Sequence, residues 1–341
     1  MSSRINPYRP RHLKSQFTLG HYRAAEVASV AAFTALVLAV FAAAAGEALG
    51  LPTLAGAPLW ARWLLRLAGL AGLACVAYGV FVEPFRLRVR TVELRSPKIG
   101  REPLRLLHLS DIHIRRWSAI ESAVLRAVKV AAPDLILVSG DITAFPASLR
   151  DARRFMAELS ETAPTFCSRG NSEFRTPRCL KLTEGTRAAW LFNEGVPLSL
   201  RGTKLFVAGV DAGDEDAVRA VGRRASPEAY AVCLYHYPDL LPQLKSLPYD
   251  LMLCGHTHAG QVRLPWIGAV IGASRAGVRY AYGLFRSGGK AAYVSAGIGC
   301  RSYGLPRMRF LCPPEIALII LKAAPAAAGA RPSHGESAAP A

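Results

Sequence analysis

No two of the seven cysteines (75, 167, 179, 233, 254, 300 and 312) form a CxxC pair, and their number is odd. This fits unpaired thiols in a reducing compartment better than a disulfide framework. Acidic residues are few: 24 Asp and Glu against 42 Lys and Arg leave a net charge of +18. Such a balance suits nucleic acid or an anionic membrane surface. The chain has no recognisable nucleic-acid motif, and much of its basic charge flanks two apolar runs, so no nucleic-acid partner is expected. Internal repeats are absent as well, which leaves one or two ordinary globular units plus the apolar runs.

Charge is nearly missing from those runs. Ala25 to Ala45 holds only Glu26, and Leu67 to Val82 holds none. Each approaches the roughly 20 apolar residues that cross a bilayer as helix. A secretory signal has a shorter apolar core and a cleavage site before mature sequence. The segment "AAAAGEALG" mimics such a site, but a second apolar run follows it. Neither run has a polar face, which argues against two buried helices and for a two-helix transmembrane hairpin. Arg4, Arg9, Arg11, Lys14 and Arg23 precede the first run, and Arg86, Arg88, Arg90, Arg95, Lys98 and Arg101 follow the second. The link from Gly46 to Trp60 has no Lys or Arg, so both ends are expected on the cytoplasmic side of the inner membrane. Arg62 and Arg66, four residues apart on one helix face, are expected to snorkel to the interface.

The expected organisation is a basic N-terminus at 1–24, the hairpin at 25–83, a folded domain at 84–322 and a disordered tail at 323–341, rich in Ala, Pro, Gly and Ser. Within the domain, "FRLRVRTVELR" alternates as a strand with one wet face. "LRLLHLS", "DLILVSG" and "TFC" read as strands separated by helices, the first helix opened by a capping box of Ser118 and Glu121. "TKLFVAGVDA", "AYAVCLYH" and "DLMLCGHTH" follow, with a short helix at Pro238 to Leu247. The last third is strand-rich, ending in "EIALIILK". Alternating strand and helix closed by strands predicts an α/β fold: a layered sheet sandwich with helices outside.

The strand ends carry the chemistry. Asp111 and His113 leave one strand together, and Asp141 follows Gly140 at the end of the next, where ligands of α/β proteins gather. His256 and His258 are framed by Gly255 and Gly260, and His236 follows another apolar strand. One histidine is ordinarily structural, but two in a glycine-framed loop point to a metal. Oxygen and imidazole donors without cysteine suit Mn, Fe, Zn or related divalent ions. Cys254, within an apolar strand, reads as core.

The order D-x-H, GD, GN, H, G-H-x-H across residues 104 to 320 resembles the calcineurin-like metallophosphoesterases. The "GHTHAGQ", "SAGIG" and "LPRMRF...PPEI" context is similar to their membrane-anchored bacterial branch. The resemblance implies a double-sheet sandwich flanked by helices and a centre of two divalent metal ions. By the same resemblance Asp111, His113 and His258 would hold one ion, and Asn171, His236 and His256 the other. Asp141 would bridge them, and a two-metal-activated hydroxide would attack phosphorus.

One position departs from the family. Histidine usually follows the asparagine, touching phosphate and delivering a proton to the leaving group, but here it is Ser172. Losing acid catalysis typically costs about 10² to 10⁴ in rate. Serine therefore favours a phosphodiester, pyrophosphate or other activated bond over an alkyl monoester. Family members that carry a residue other than histidine here include enzymes that cleave UDP-2,3-diacylglucosamine at the cytoplasmic membrane face, so the resemblance implies a lipid-linked substrate of that kind. Asp141, Asn171 and Ser172 are the candidate catalytic residues, and Arg169 and Arg301 the candidate substrate contacts, with Arg115, Arg116 and Arg307 as further phosphate candidates. The alternative is a catalytically silent module that binds metal and phosphate.

Overall fold

The computed structural model describes residues 24–51, 56–175, 181–301 and 307–325. The expected basic N-terminus, except Ala24, and the tail from 326 onward lie outside them.

Two helices come first, α1 (Ala24–Ala48) and α2 (Leu59–Phe81). They pack closely because small residues meet: a Cβ on Gly69 would lie 2.5 Å from the Ala44 Cβ, and one on Gly72 would lie 2.7 Å from the Phe41 ring. Among the described residues one helix, Leu59–Phe85, is long and apolar enough to cross a membrane, and the described apolar part of α1 is the shorter Val37–Ala48. Arg62 and Arg66 have an acidic partner within reach. Both reach the buried Glu47 of α1, at 2.8 and 3.5 Å, because a carboxylate placed between the helices demands a counter-charge.

After a 3₁₀ turn at Glu83–Phe85, the strands β1 (Arg88–Ser96) and β2 (Leu104–Leu109) lead into α3 (Ala119–Ala131). The capping box forms, with the Ser118 amide donating to Glu121 Oε2 at 2.8 Å. Ile120, Val124, Leu125 and Val128 then turn one face of α3 inward. Next come β3 (Leu135–Val138), α4 (Leu149–Thr162), β4 (Thr165–Cys167), α5 (Asn171–Arg175) and β5 (Ala188–Trp190). Asn171, the asparagine of the GN motif, opens the short helix α5.

The second half contains β6 (Glu194–Leu200), β7 (Thr203–Val210), α6 (Glu215–Gly222), β8 (Tyr230–Tyr235), a 3₁₀ helix at Pro238–Ser246 and β9 (Leu251–Cys254). A small hairpin of β10 (Arg263–Leu264) and β11 (Gly268–Ala269) follows, then β12 (Gly283–Ser287), β13 (Lys290–Val294) and β14 (Glu315–Ala323). Ala323, expected as the start of the tail, belongs to β14.

The strands form two six-stranded sheets, β1-β14-β2-β3-β4-β5 and β12-β13-β9-β8-β7-β6. Alternation decides which core each side chain enters. Leu104, Leu106, Leu135, Leu137, Ala317 and Ile319 of the first sheet meet Leu205, Val207, Val232, Leu234, Leu251 and Leu253 of the second. Their neighbours Leu107, Leu109, Ile136 and Val138 point outward to α3 and α4, and Phe206, Ala208, Ala231 and Cys233 point outward to α6 and the 238–246 helix. Cys254 packs in this outer core. The result is a double-sheet sandwich between helical layers. The last strand closes it, running parallel to β1 and antiparallel to β2.

Apolar helix α2 is fastened to this body. The Arg309 amide donates to Gly79 O at 2.9 Å, and Tyr78 meets Phe310 edge-on at 6.3 Å. Buried Glu83 accepts from the amides of Leu311, at 2.9 Å, and Cys312, at 2.5 Å.

Candidate metal centre

The loops after β2 and β3 continue the parallel pairing of their strands. Asp111 N donates to Gly140 O and His113 N to Asp141 O, both at 3.0 Å. Loops zipped in this way hold backbone that side chains normally avoid. Asp111, His113, Asp141, His256 and His258 have φ of 49°, 46°, 56°, 71° and 50°. Left-handed non-glycine residues cost of order 1–3 kcal/mol each and persist where surroundings over-determine them, which marks functional sites. Glycine lets the loops approach. A Cβ on Gly255 would fall 1.9 Å from Ser110 Oγ and 2.2 Å from Asp111 Oδ2.

Two buried donor groups result, Asp111 with His113 and His258, and Asp111 with Asp141 and His236, the ligand atoms of each lying within 4.8 Å of one another. Asp111 Oδ2 is occupied by Ser110 Oγ at 2.7 Å and the His256 amide at 2.8 Å. Its Oδ1 lies 3.4, 3.9 and 3.9 Å from Nε2 of His258, His113 and His236. Asp141 spans the two groups, with Oδ2 3.5 Å from His113 Nε2 and Oδ1 3.6 Å from His236 Nε2. The Nε2 atoms of His113 and His258 are 3.2 Å apart.

His256 stands beside His236, 5.2 Å between ring centroids, and outside both tight groups. Asn171 is buried at the first position of α5. Asp111 Oδ1, Asp141 Oδ2, the Asn171 amide atoms, His236 Nε2 and His256 Nδ1 are buried without hydrogen-bond partners. Orphaned buried polar atoms of this kind are costly unless an ion satisfies them. A set of carboxylate, amide and imidazole donors fits divalent cations.

Electrostatics agree. Burial lowers the pKa values of His113, His256 and His258, keeping these imidazoles neutral and able to ligate. At His236 burial also opposes protonation, but the Asp141 and Asp111 carboxylates outweigh it and push the group up to about 9. Burial likewise opposes ionisation of Asp141, yet His236 and His113 hold it well below the usual carboxylate range. The pocket thus demands positive charge.

Supporting residues surround the donors. Ser172, half-buried, donates its amide to Asp141 Oδ1 at 2.7 Å. Glu173, given no role by sequence, accepts from the amides of Gly170 at 2.7 Å, Asp141 at 2.9 Å and Ile142 at 2.8 Å. It joins the asparagine turn to the Asp141 loop; burial and the Asp141 charge push it up to about 7. Arg309 was missed too. It is fully buried and donates to the carbonyls of Ala296 at 2.9 Å, Gly297 and Gly299 at 3.1 Å, and Cys312 at 3.0 Å. Its guanidinium lies 3.5 Å from His258 Nδ1. A caged arginine has no local sequence signal, because its partners come from separate loops.

The arginines divide. Arg169 is buried and grips Asp211, with Nε to Oδ1 at 2.8 Å, between Phe174 and Phe192. Arg301 stays half-exposed near the donors, its charge helping to depress His113, His256 and His258. Gln261 clasps its backbone, accepting from Arg301 N and donating to Arg301 O, both at 2.8 Å. Arg115 stacks on Phe145 at 4.9 Å, Arg307 is half-buried and Arg116 is exposed.

A cage of carboxylates and imidazoles at the strand ends of a double-sheet sandwich marks a metal-dependent hydrolase of phosphate esters. The chain belongs to the calcineurin-like phosphoesterases, whose family model matches residues 104–260. It is 31% identical over 265 residues to Phosphodiesterase YaeI of Escherichia coli (strain K12), covering 74% of this chain and 95% of that protein. The metallophosphoesterase YkuE of Bacillus subtilis is 28% identical over 259 residues, 72% of this chain and 89% of its own. UDP-2,3-diacylglucosamine pyrophosphatase LpxG of Chlamydia muridarum is 24% identical over 305 residues, 70% of this chain and 90% of its own.

Proposed function

We propose that this chain is a membrane-anchored hydrolase of a lipid-linked phosphodiester or pyrophosphate, of the UDP-2,3-diacylglucosamine kind. Its catalytic domain, residues 84–322, would face the cytoplasm at the inner membrane. The observation that carries the reading is the docking of α2. Its last turn binds the 308–312 segment, and Arg309 of that segment lies against His258. A candidate span and a candidate metal site are thus one contact apart. Likeness to LpxG supports the substrate class. The close packing of α1 on α2, and the lack of Lys and Arg between Gly46 and Trp60, support α1 as a second span with both ends inside.

In this reading Asp111, His113 and His258 would hold one ion and Asn171, His236 and His256 the other, with Asp141 available to both. Asp111 Oδ1, shared by both donor groups, has the same double reach. Divalent ions there supply neutralisation of phosphate oxygens and a more acidic water. The protein contributes the geometry: the Ser172 amide holds the Asp141 carboxylate, and the Glu173 clamp holds the Asp141 backbone. Arg301, held by Gln261, is the guanidinium proposed to orient phosphate. Ser172 keeps its proton near neutral pH and gives little acid assistance, so the leaving group is one that departs unaided, such as a nucleotide or phosphate ester.

The test is metal-loaded protein incubated with nucleotide-linked lipids, nucleotides, diesters and monoesters, with products read by mass spectrometry. Cleavage of the lipid-linked pyrophosphate or a diester is expected, and a preference for monoesters would overturn the argument from Ser172. Binding of metal and ligand without turnover on any member would favour the silent module that the same serine suggests.

A further inference from the structure

The small hairpin β10–β11 leaves the metal loop directly and ends in an apolar tip. Trp266 is fully exposed, Ile267 is 73% exposed, and Pro265 beside them is exposed as well. Nothing in catalysis uses these side chains. A tryptophan and an isoleucine presented together on a two-residue ladder are costly in water, and are the residue types that enter a lipid interface.

The base of the hairpin is held firmly. Ala269 packs where a Cβ on Gly260 would come within 2.6 Å, and Arg263 Nη1 donates to Ala259 O at 3.1 Å. Arg263 N also donates to Phe310 O at 2.9 Å. Phe310 is the residue that meets Tyr78 of α2. Through Phe310 these two contacts connect the last turn of the apolar helix, the 308–312 segment and the hairpin. Tyr78 and Gly79 lie near the end of the apolar run, so if α2 spans the bilayer, as proposed above, the 308–312 segment would sit close to where it leaves the hydrocarbon. Phe81, Val82, Phe85 and Leu311, next to these contacts in the chain, are exposed as well. From Arg263 to Trp266 an extended chain reaches about 10 Å, at roughly 3.3 Å per residue. The headgroup layer of one leaflet is about 5–8 Å thick.

We propose that the Trp266–Ile267 tip inserts into the same bilayer as α2, giving the catalytic domain a second hold that turns the His256–His258 loop toward the lipid surface. The inference rests on the anchoring reading above and adds to it a fixed orientation. With α2 alone, the domain would touch the bilayer at one place; with the hairpin it touches at two, on either side of the 308–312 segment. The net charge of +18 favours an anionic lipid surface over an acid-poor protein partner as the occupant.

The test compares full-length protein and Trp266→Phe, each reconstituted into anionic phospholipid vesicles with plain or brominated acyl chains. The difference between their fluorescence spectra isolates Trp266 from the other four tryptophans. Insertion predicts that brominated chains quench this difference strongly. A difference spectrum untouched by bromine, in protein that floats with the vesicles, would overturn the hairpin inference and leave anchoring intact. Protein that does not float with vesicles at all would overturn both. An unquenched difference that shifts to the blue as protein concentration rises would assign the tip to a second copy of the chain instead.

Discussion

His108 offers a quantitative test of how tightly the sandwich is sealed. It lies on β2 facing the second sheet, with no exposure, its Nε2 2.8 Å from Ser139 Oγ and its ring edge-on to Tyr293. Burial lowers its pKa from 6.5 to about 3. The unfolded chain therefore takes up a proton below pH 6.5 that the folded chain refuses until about pH 3. The stability contribution is complete above 6.5 and is lost as pH falls through that window. At about 1.4 kcal/mol per pH unit, moving from pH 7 to pH 5 removes about 2 kcal/mol. For a domain of this size that corresponds to about 4–8 °C in Tm. His108→Gln keeps a partner for Ser139 and cannot titrate. Thermal unfolding of detergent-solubilised wild type and variant, followed by circular dichroism at both pH values, should show wild type losing that much more. Parallel losses in the two proteins would refute the reasoning, because every other titrating group is common to both.

Ser172→His should raise turnover of alkyl monoesters by about 10² to 10⁴ by restoring a proton donor, with metal content unchanged by mass spectrometry. Gly255→Ala places a methyl group 1.9 Å from Ser110 Oγ and 2.2 Å from Asp111 Oδ2, so it should displace the Asp111 carboxylate and lower metal occupancy measured after dialysis. Arg309→Met removes the donor shared by the Ala296, Gly297, Gly299 and Cys312 carbonyls. At about 1–3 kcal/mol for each buried group left unsatisfied, it should destabilise the domain by at least about 3 kcal/mol in urea titration.

How far the sequence speaks depends on the range of the interaction. Asp111, His113, Asp141, His256 and His258 stand out because each ends an apolar strand, and strand and loop are local features. The capping box at Ser118, the alternating β1 and the apolar runs of β2, β7 and β8 are legible for the same reason. The partition of strands into two sheets is not, because β14 finds β1 and β2 from more than two hundred residues away. The role of Glu47, in the link between the two apolar runs, depends on α1 and α2 coming together to set it against Arg62 and Arg66. Arg309 and Glu83 share that difficulty, since their meaning lies in carbonyls and amides delivered by other loops. Glu173 stood in view beside Asn171, but its three amide partners are visible only once the turn folds into α5.

The central claim is that these donors hold metal for phosphoester hydrolysis. It is tested most directly by measuring bound metal and turnover together, on an activated diester, in wild type and Asp141→Asn. The account predicts two divalent ions per wild-type chain with Mn-dependent hydrolysis, and a variant that loses both metal and at least about 10²-fold in rate, the lower end of a typical catalytic contribution. Equal rates in the two proteins, or metal-loaded wild type with no hydrolysis, would contradict it.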